Sequence, residues 1–308
     1  MRVAVLMGGR SLERQVSLKS GTRVAEALEE AGHAVTSIDV GHDLVARLRD
    51  ADPQVAFVAL HGRDGEDGTV QELLDALGIA YTGSGPAACT MSWDKALAKH
   101  HLRAAGIPTP DARVFSETAL KELGAADAIS GVAQSLSFPV VVKPAAQGSA
   151  LGIRIAHDAG EVPGALIAAF SYDDRVLLER HVDGRDLAVS VLGGEALPVV
   201  EAIPEGEEFY DFEARYTIGA STFRCPADIP DAVASEAQRL AVAVFELLQL
   251  EGCARVDLLL DAAGDLWVLE ANAVPGFTDT SLLPQAAEAA GISFGRLCER
   301  MLELAHRA

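Results

Sequence analysis

Apolar and polar positions along this chain follow two periods in turn, and each switch marks an element. Residues 2–7 are almost wholly apolar after Arg2, the pattern of a strand covered on both faces. Gly8-Gly9 interrupts the run. Val24, Ala27 and Leu28 then fall on one helical face, and Gly32 closes the helix. Segments 34–40 and 55–60 read as second and third strands. A glycine- and acid-rich loop from His61 to Gly68 opens a helix ending at Leu77-Gly78, and 79–83 is a short fourth strand. Strands alternating with helices in this way predict an open, mainly parallel α/β unit.

Near Pro86 the pattern changes. Residues 93–105 read as one helix stopped by Gly106, followed by the extended connector Ile107-Pro108-Thr109-Pro110. Residues 139–143 and 153–156 are strands on either side of a glycine loop, and so a hairpin. Residues 163–171 look helical, with Pro163 in the first turn, where proline is best tolerated. Further strands are expected at 176–179, 187–192 and 198–202. A polar loop, a long helix over 232–248, a second hairpin and a terminal helix complete the chain. The expected class is therefore α/β, with mixed α+β units after the parallel one. At 308 residues the chain exceeds what one core usually spans, so two or three domains are expected.

The second hairpin carries the strongest chemical signal. Arg255-Val256-Asp257-Leu258 and Leu269-Glu270-Ala271-Asn272 both alternate polar with apolar residues. Between them, Asp261-Ala262-Ala263-Gly264-Asp265 is a turn, with glycine where a positive φ is cheapest. Folding about that turn sets Asp257 opposite Glu270 and Arg255 opposite Asn272, all on one side of the sheet. Two carboxylates and an amide oxygen, without Cys or His, suit Mg²⁺ rather than zinc. A solvated strand face with an incidental ion pair is the plainer reading. Against it, Asp and Glu are disfavoured in strands, and Pro275-Gly276 leads into a run of hydroxyl residues of the kind that handles oxyanions.

Composition narrows the partners. A formal net charge of −20 argues against a nucleic-acid patch and against an anionic membrane surface. No stretch is long and apolar enough to be a bilayer span, and the N-terminal apolar run is too short for a signal segment. Cys89, Cys225, Cys253 and Cys298 are scattered without a CxxC pair. That spacing fits a reduced cytosol and neither a zinc site nor a disulfide framework.

Three further segments carry candidate chemistry. Lys143-Pro144-Ala145-Ala146-Gln147-Gly148-Ser149-Ala150-Leu151-Gly152 ends a strand in lysine and follows it with glycines that let backbone N–H groups approach phosphate. It is not a Walker A loop, because the lysine precedes the glycines and a strand follows; a plain hairpin loop is the alternative. Leu177-Leu178-Glu179-Arg180-His181-Val182-Asp183-Gly184-Arg185-Asp186 ends an apolar strand in an acid that could accept from a purine amine, with a later acid for ribose. An edge strand entering a polar turn reads the same way. Gly8-Gly9-Arg10-Ser11-Leu12-Glu13 lacks the full GxGxxG pattern, which excludes a dinucleotide fold. Glu13 suits a substrate ammonium, or equally a helix start where it complements the macrodipole.

Together these segments resemble the D-alanine–D-alanine ligase family, within the ATP-grasp fold, over nearly the whole chain. The resemblance rests on Gly8-Gly9-Arg10-Ser11-Leu12-Glu13 with Val16-Ser17-Leu18, and on Leu60-His61-Gly62 with Gly65-Glu66-Asp67-Gly68. It rests also on Lys143-Pro144 with Gly148-Ser149, and on Phe209-Tyr210-Asp211-Phe212-Glu213-Ala214-Arg215-Tyr216. The last segment is Arg255-Val256-Asp257 followed by Glu270, Asn272, Pro275-Gly276, Thr278 and Ser281-Leu282-Leu283-Pro284.

That resemblance implies three domains: 1–90, an N-terminal α/β substrate domain, then 91–178 and 179–308, two α+β domains that sandwich ATP. It implies ATP-dependent ligation of two D-alanines through an acyl phosphate for peptidoglycan precursors, in the cytoplasm, by a homodimer formed through the N-terminal domain. Asp257, Glu270 and Asn272 would hold two Mg²⁺ (or Mn²⁺) ions. Lys95, Lys143 and Gly148 would contact phosphates, and Glu179, Arg180, Val182 and Asp186 would take adenine and ribose. Arg255 and the Gly276 N–H would form an oxyanion hole. Glu13 would hold the first ammonium, linked through Ser149 to Tyr216, with His61, Tyr210 and Arg215 around the substrate. Ser281 and the Leu282 N–H would bind the second carboxylate.

Several positions depart from the family pattern. Gln147 replaces a usual Glu, Ala150 a Ser, Arg215 a Lys, Asp186 a Glu and Phe277 a Met, while Ala271 and Ala273 flank Asn272 in place of Val and Thr. Tyr216 is retained, as in relatives with an amine acceptor. Two rival readings remain at this point: a same-fold ligase for other amino acids in a specialised pathway, and a nucleotide-binding regulator with a degraded site. The retained Lys143, Arg255, Asp257, Glu270 and Asn272 speak against the second.

Overall fold

The computed structural model describes residues 1–204 and 221–307. The chain opens with β1 (Arg2–Met7), α1 (Arg14–Glu30), β2 (Ala34–Asp39), α2 (Leu44–Ala51), β3 (Val55–Val58), α3 (Thr69–Leu77) and β4 (Ala80–Tyr81). Its four strands form a parallel sheet in the order β2-β1-β3-β4. Val3 through Leu6 and Val55 through Val58 are all buried, so these strands are continuous apolar runs rather than alternating ones. The short α2 was not expected from the sequence; it buries only Leu44 and Leu48, too few anchors for a periodic signal.

A connecting pair of helices, α4 (Pro86–Trp93) and α5 (Lys95–Ala104), leads into β5 (Ala112–Ser116), α6 (Glu117–Glu122), α7 (Ala126–Leu136), β6 (Val140–Pro144), β7 (Arg154–Ala156), α8 (Val162–Phe170) and β8 (Arg175–Arg180). The sheet here is antiparallel, in the order β5-β8-β6-β7. It has its own core, which includes Val140, Val142, Val176, Leu178 and Leu166.

The last part comprises β9 (Gly184–Leu192), β10 (Glu195–Ala196), β11 (Val200–Pro204), β12 (Ser221–Arg224), α9 (Asp231–Leu247), β13 (Cys253–Asp261), β14 (Leu266–Asn272), α10 (Leu282–Ala289) and α11 (Phe294–Glu303). Its antiparallel sheet runs β12-β11-β9-β13-β14, with β10 against β9. Leu6, Leu60 and Tyr81 share one core with Val244, Val256 and Leu258. Val5 and Phe57 share another with Phe277, Leu283 and Leu297. The parallel sheet is thus joined to the last sheet through two cores, while the central sheet packs around its own. The clefts lie where these bodies meet.

Where one helix over 93–105 was expected, there are two. Asp94 is extended, at φ −82 and ψ 100, and its Oδ1 accepts the N–H groups of Ala96 and Leu97 at 2.9 and 3.0 Å. It is the N-cap of α5. Its other oxygen is held by Arg175 from β8, so a contact remote in sequence fixes the break. The terminal helix is likewise two, α10 and α11, with Gly291 at φ +78 between them.

Candidate active site

The hairpin of β13 and β14 has the expected register, Asp257 opposite Glu270 and Arg255 opposite Asn272. Beyond it the register shifts between Asp257 and Leu258, so that Leu258 pairs with Val268. This irregularity re-aims the strand, as bulges near functional sites do. Val268 is fully buried, while Leu269 lines a cleft.

Arg255, 9 % exposed, donates from Nε and Nη2 to the two oxygens of Asp257 at 2.6 and 2.9 Å. Glu270 Oε2 lies 3.1 Å from Lys95 Nζ, and the same ammonium donates to the Gln147 carbonyl at 2.6 Å. Asn272 Oδ1 accepts the Val274 N–H at 3.0 Å. Each carboxylate therefore has a cation against it, an arrangement suited to acids that exchange partners with a bound cation.

Arg255, Glu270, Asn272 and Gly276 face Glu13, His61, Gly148 and Ser149 across a cleft of about 560 Å³. Glu13 stands at the start of α1 and is buried, and Ser149 Oγ donates to its Oε1. His61 Nε2 meets Ser20 Oγ at 2.9 Å, and Glu66 accepts the Gly62 N–H at 2.9 Å. Gly62 has φ +72, and a Cβ there would lie 2.5 Å from Glu13 Oε2. Gly62→Ala therefore both strains the backbone, by about 1–2 kcal/mol, and pushes the carboxylate aside. Urea unfolding should show a stability loss of that order.

A second cleft of about 760 Å³, open to solvent, adjoins the first across the Ser149–Ala150 step and is lined by Lys143, Ala150, Glu179, Arg180, Val182 and Asp186, among others. Glu179 is buried, with Lys143 Nζ at 2.7 Å from Oε1 and Lys99 Nζ at 2.6 Å from Oε2. Burial alone would raise the Glu179 carboxyl, but the two ammonium groups outweigh it and hold it below the usual range. Arg180 places its guanidinium 4.5 Å over the Trp267 ring.

The loop after β6 forms the seam between the clefts: Gln147, Gly148 and Ser149 face the first and Ala150 the second. Ser149 and Ala150 sit at φ +54 and +56, a conformation that non-glycine residues hold only when their surroundings impose it. Here the restraints are Ser149 on Glu13, Lys95 on Gln147, and Asp173 accepting the Ala146 N–H at 2.6 Å.

Ser281 is the N-cap residue just before α10, yet its side chain makes no capping hydrogen bond; its hydroxyl accepts the Thr278 N–H at 3.0 Å and meets Thr278 Oγ1 at 2.8 Å. Ser281 and Leu282 do not line the first cleft, whereas Gly276 does. The two parts still touch, since a Cβ on Gly276 would lie 2.5 Å from Ser281 Oγ. Tyr210, Arg215 and Tyr216 lie outside the described residues. Sequence reading gave no site role to Glu66 and Trp93, which line the first cleft, or to Lys99, which holds Glu179. For Lys99 the available signal was its place four residues after Lys95 on a helix whose other inward residues are Ala98 and Leu102.

A parallel domain set beside antiparallel sheets, with two neighbouring clefts lined by lysines and acids, defines an ATP-grasp protein. Residues 101–303 match the family model described as D-ala D-ala ligase C-terminus, and residues 45–84 the one described as D-ala D-ala ligase N-terminus. The D-alanine–D-alanine ligase of Syntrophotalea carbinolica is 44 % identical over 98 % of this chain and 95 % of its own length. That of Pelotomaculum thermopropionicum is 43 % identical over 99 % and 96 %. The crystal structure of the Bacillus anthracis D-alanine–D-alanine ligase superposes with a TM-score of 0.86 at 32 % identity, covering 99 % of this chain and 97 % of that one. Its complex with ATP gives 0.84 at 31 % identity. The chain belongs to the D-alanine–D-alanine ligase family.

Proposed function

We propose that this protein joins two D-alanines at the expense of ATP, through an acyl phosphate, to supply the dipeptide for peptidoglycan. The observation that carries the reading is the facing of Glu13 and Ser149 against Arg255, Glu270 and Gly276 in one cleft, next to a second cleft lined by Lys143, Glu179, Arg180 and Asp186. Glu179 and Asp186, with Arg180 and Val182, take adenine and ribose in the second cleft. Lys95, Lys143 and the Gly148 N–H receive the phosphates at the seam. Glu13 binds the ammonium of the first D-alanine and so aims its carboxylate at the γ-phosphate.

Phosphoryl transfer to that carboxylate gives the acyl phosphate and ADP. The amine of the second D-alanine, its carboxylate held by Ser281 and the Leu282 N–H, attacks the acyl carbon. Arg255 and the Gly276 N–H stabilise the oxyanion that forms, and the C–O bond to phosphate breaks. The Glu13–Ser149 contact, extended by Tyr216, keeps water from the labile intermediate, with Tyr210, Arg215 and His61 around it.

Among the described residues no three His, Cys, Asp or Glu side chains gather as a metal cluster. Asp257, Glu270 and the amide of Asn272 are instead an oxygen-only set on one strand face, chemistry that fits two Mg²⁺ ions, or Mn²⁺. Bound there, Mg²⁺ would neutralise the charge on the transferring phosphoryl group. The units 1–90, 91–178 and 179–308 would serve as substrate domain and two ATP-holding domains, and the protein would work in the cytoplasm as a homodimer. Among the described residues no helix is long and apolar enough to cross a membrane.

Incubation with D-alanine, ATP and Mg²⁺ should yield ADP, phosphate and D-alanyl-D-alanine by mass spectrometry. A panel of other D- and L-amino acids should release little phosphate. Turnover with a different amino acid and none with D-alanine would reject the assignment.

A further inference from the structure

Lys99 is the most deeply buried ammonium among the described residues, 1 % exposed, and the reaction outlined above gives it no task. It belongs to α5 and touches two elements. Its Nζ is 2.6 Å from Glu179 Oε2 at the end of β8, and it donates to Thr109 Oγ1 at 2.6 Å. Thr109 in turn donates to the Val268 carbonyl at 2.7 Å. Val268 precedes Glu270 and Asn272 on β14. The ammonium thus ties the acid of the nucleotide cleft to the strand that carries Glu270 and Asn272 of the other cleft.

Lys143 is the second ammonium on Glu179, at 2.7 Å from Oε1. On the functional reading above, on which this inference rests, Lys143 is also a phosphate contact. One ammonium cannot serve a buried carboxylate and an arriving triphosphate with equal strength, and a buried carboxylate stripped of its partner is strongly disfavoured. We propose that Lys99 is a positioning residue that acts through Glu179: it remains the resident counter-ion, keeping Glu179 ionised and aimed at the nucleotide, when the phosphates draw Lys143 away.

The surroundings agree. Burial pulls the Lys99 ammonium down to about 8; Glu179 opposes this, and Lys143 and Arg103 add to it. Departure of Lys143 toward phosphate removes one of those like charges, so nucleotide binding favours charged Lys99. The charged groups facing it are Glu179 and Lys143 from the central sheet and Arg103 from its own helix.

The test is equilibrium binding of ATP with Mg²⁺, without D-alanine, to wild type, Lys99→Met, Glu179→Gln and the double variant. Lys99→Met should weaken ATP binding about tenfold or more and raise the KM for ATP, with the KM for D-alanine unchanged. In the Glu179→Gln background the same change should add less than twofold, because the residue it serves is gone. Wild-type affinity should fall as pH rises above about 8, and that limb should vanish in Lys99→Met. Should Lys99→Met fail to fold, the wild-type pH profile and Thr109→Val, which cuts the link to β14, still decide. Losses that multiply in the double variant, an unchanged ATP affinity in folded Lys99→Met, or a flat wild-type profile up to pH 9.5 would each overturn the proposal. Failure of wild type to bind ATP would instead overturn the functional reading beneath it.

Discussion

Glu270→Gln should lower ATP-dependent turnover on the order of 10³-fold or more while leaving the fold intact. The substitution keeps the shape of the side chain and removes one negative charge. On the proposed reading that charge helps hold the cations that offset the transferring phosphoryl group, and catalysis of such transfers is almost entirely positioning and electrostatics. The fold should survive because Lys95 keeps its bond to the Gln147 carbonyl at 2.6 Å and Glu270 is only partly buried, with a side chain 21 % exposed. Phosphate release and the circular dichroism melt, measured together, separate the two effects. Wild-type turnover in the variant would remove Glu270 from the proposed metal site. Lost turnover with a lowered melting temperature would show that the acid matters for stability as well.

Arg255→Met should have a comparable effect on rate and a larger one on stability. Arg255 is the partner of Asp257, with both carboxylate oxygens engaged at 2.6 and 2.9 Å and both side chains nearly buried. Removing the guanidinium takes this partner from a nearly buried carboxylate, at about 3–5 kcal/mol, and on the proposed reading deletes one donor to the developing oxyanion, at about 10²–10³ in kcat. Arg255→Lys distinguishes the two contributions. It retains the charge but not the forked geometry, so stability should recover more than turnover does. Equal recovery of both would argue that Arg255 contributes charge alone.

The hairpin of β13 and β14 shows how far local sequence reaches. Its register was legible because strands have a period of two and the turn at Gly264 fixes the pairing, and Asp257 stands opposite Glu270 as that reasoning requires. The irregularity after Asp257 was not legible, since nothing in the alternation marks where the pairing shifts. The break at Asp94 was hidden for a similar reason: Arg175, 81 residues away, holds the capping carboxylate. The pairing of Lys99 was hidden because it lies on a helix, while its partners Glu179 and Thr109 come from the central sheet and from the connector before that sheet. Glu13 and Ser149 could be paired only through the family resemblance, as 136 residues separate them.

The sequence by itself determined the alternation of elements, the parallel and antiparallel units and the polar strand face that carries Arg255, Asp257, Glu270 and Asn272, because these follow from short-range periodicity and turn chemistry. Only the tertiary structure decided which cation sits against which acid, how the Gln147–Ala150 loop divides two clefts, and that Lys99 is buried on Glu179. Those outcomes depend on which distant groups are taken out of water together, and burial is a property of the packed whole rather than of any segment.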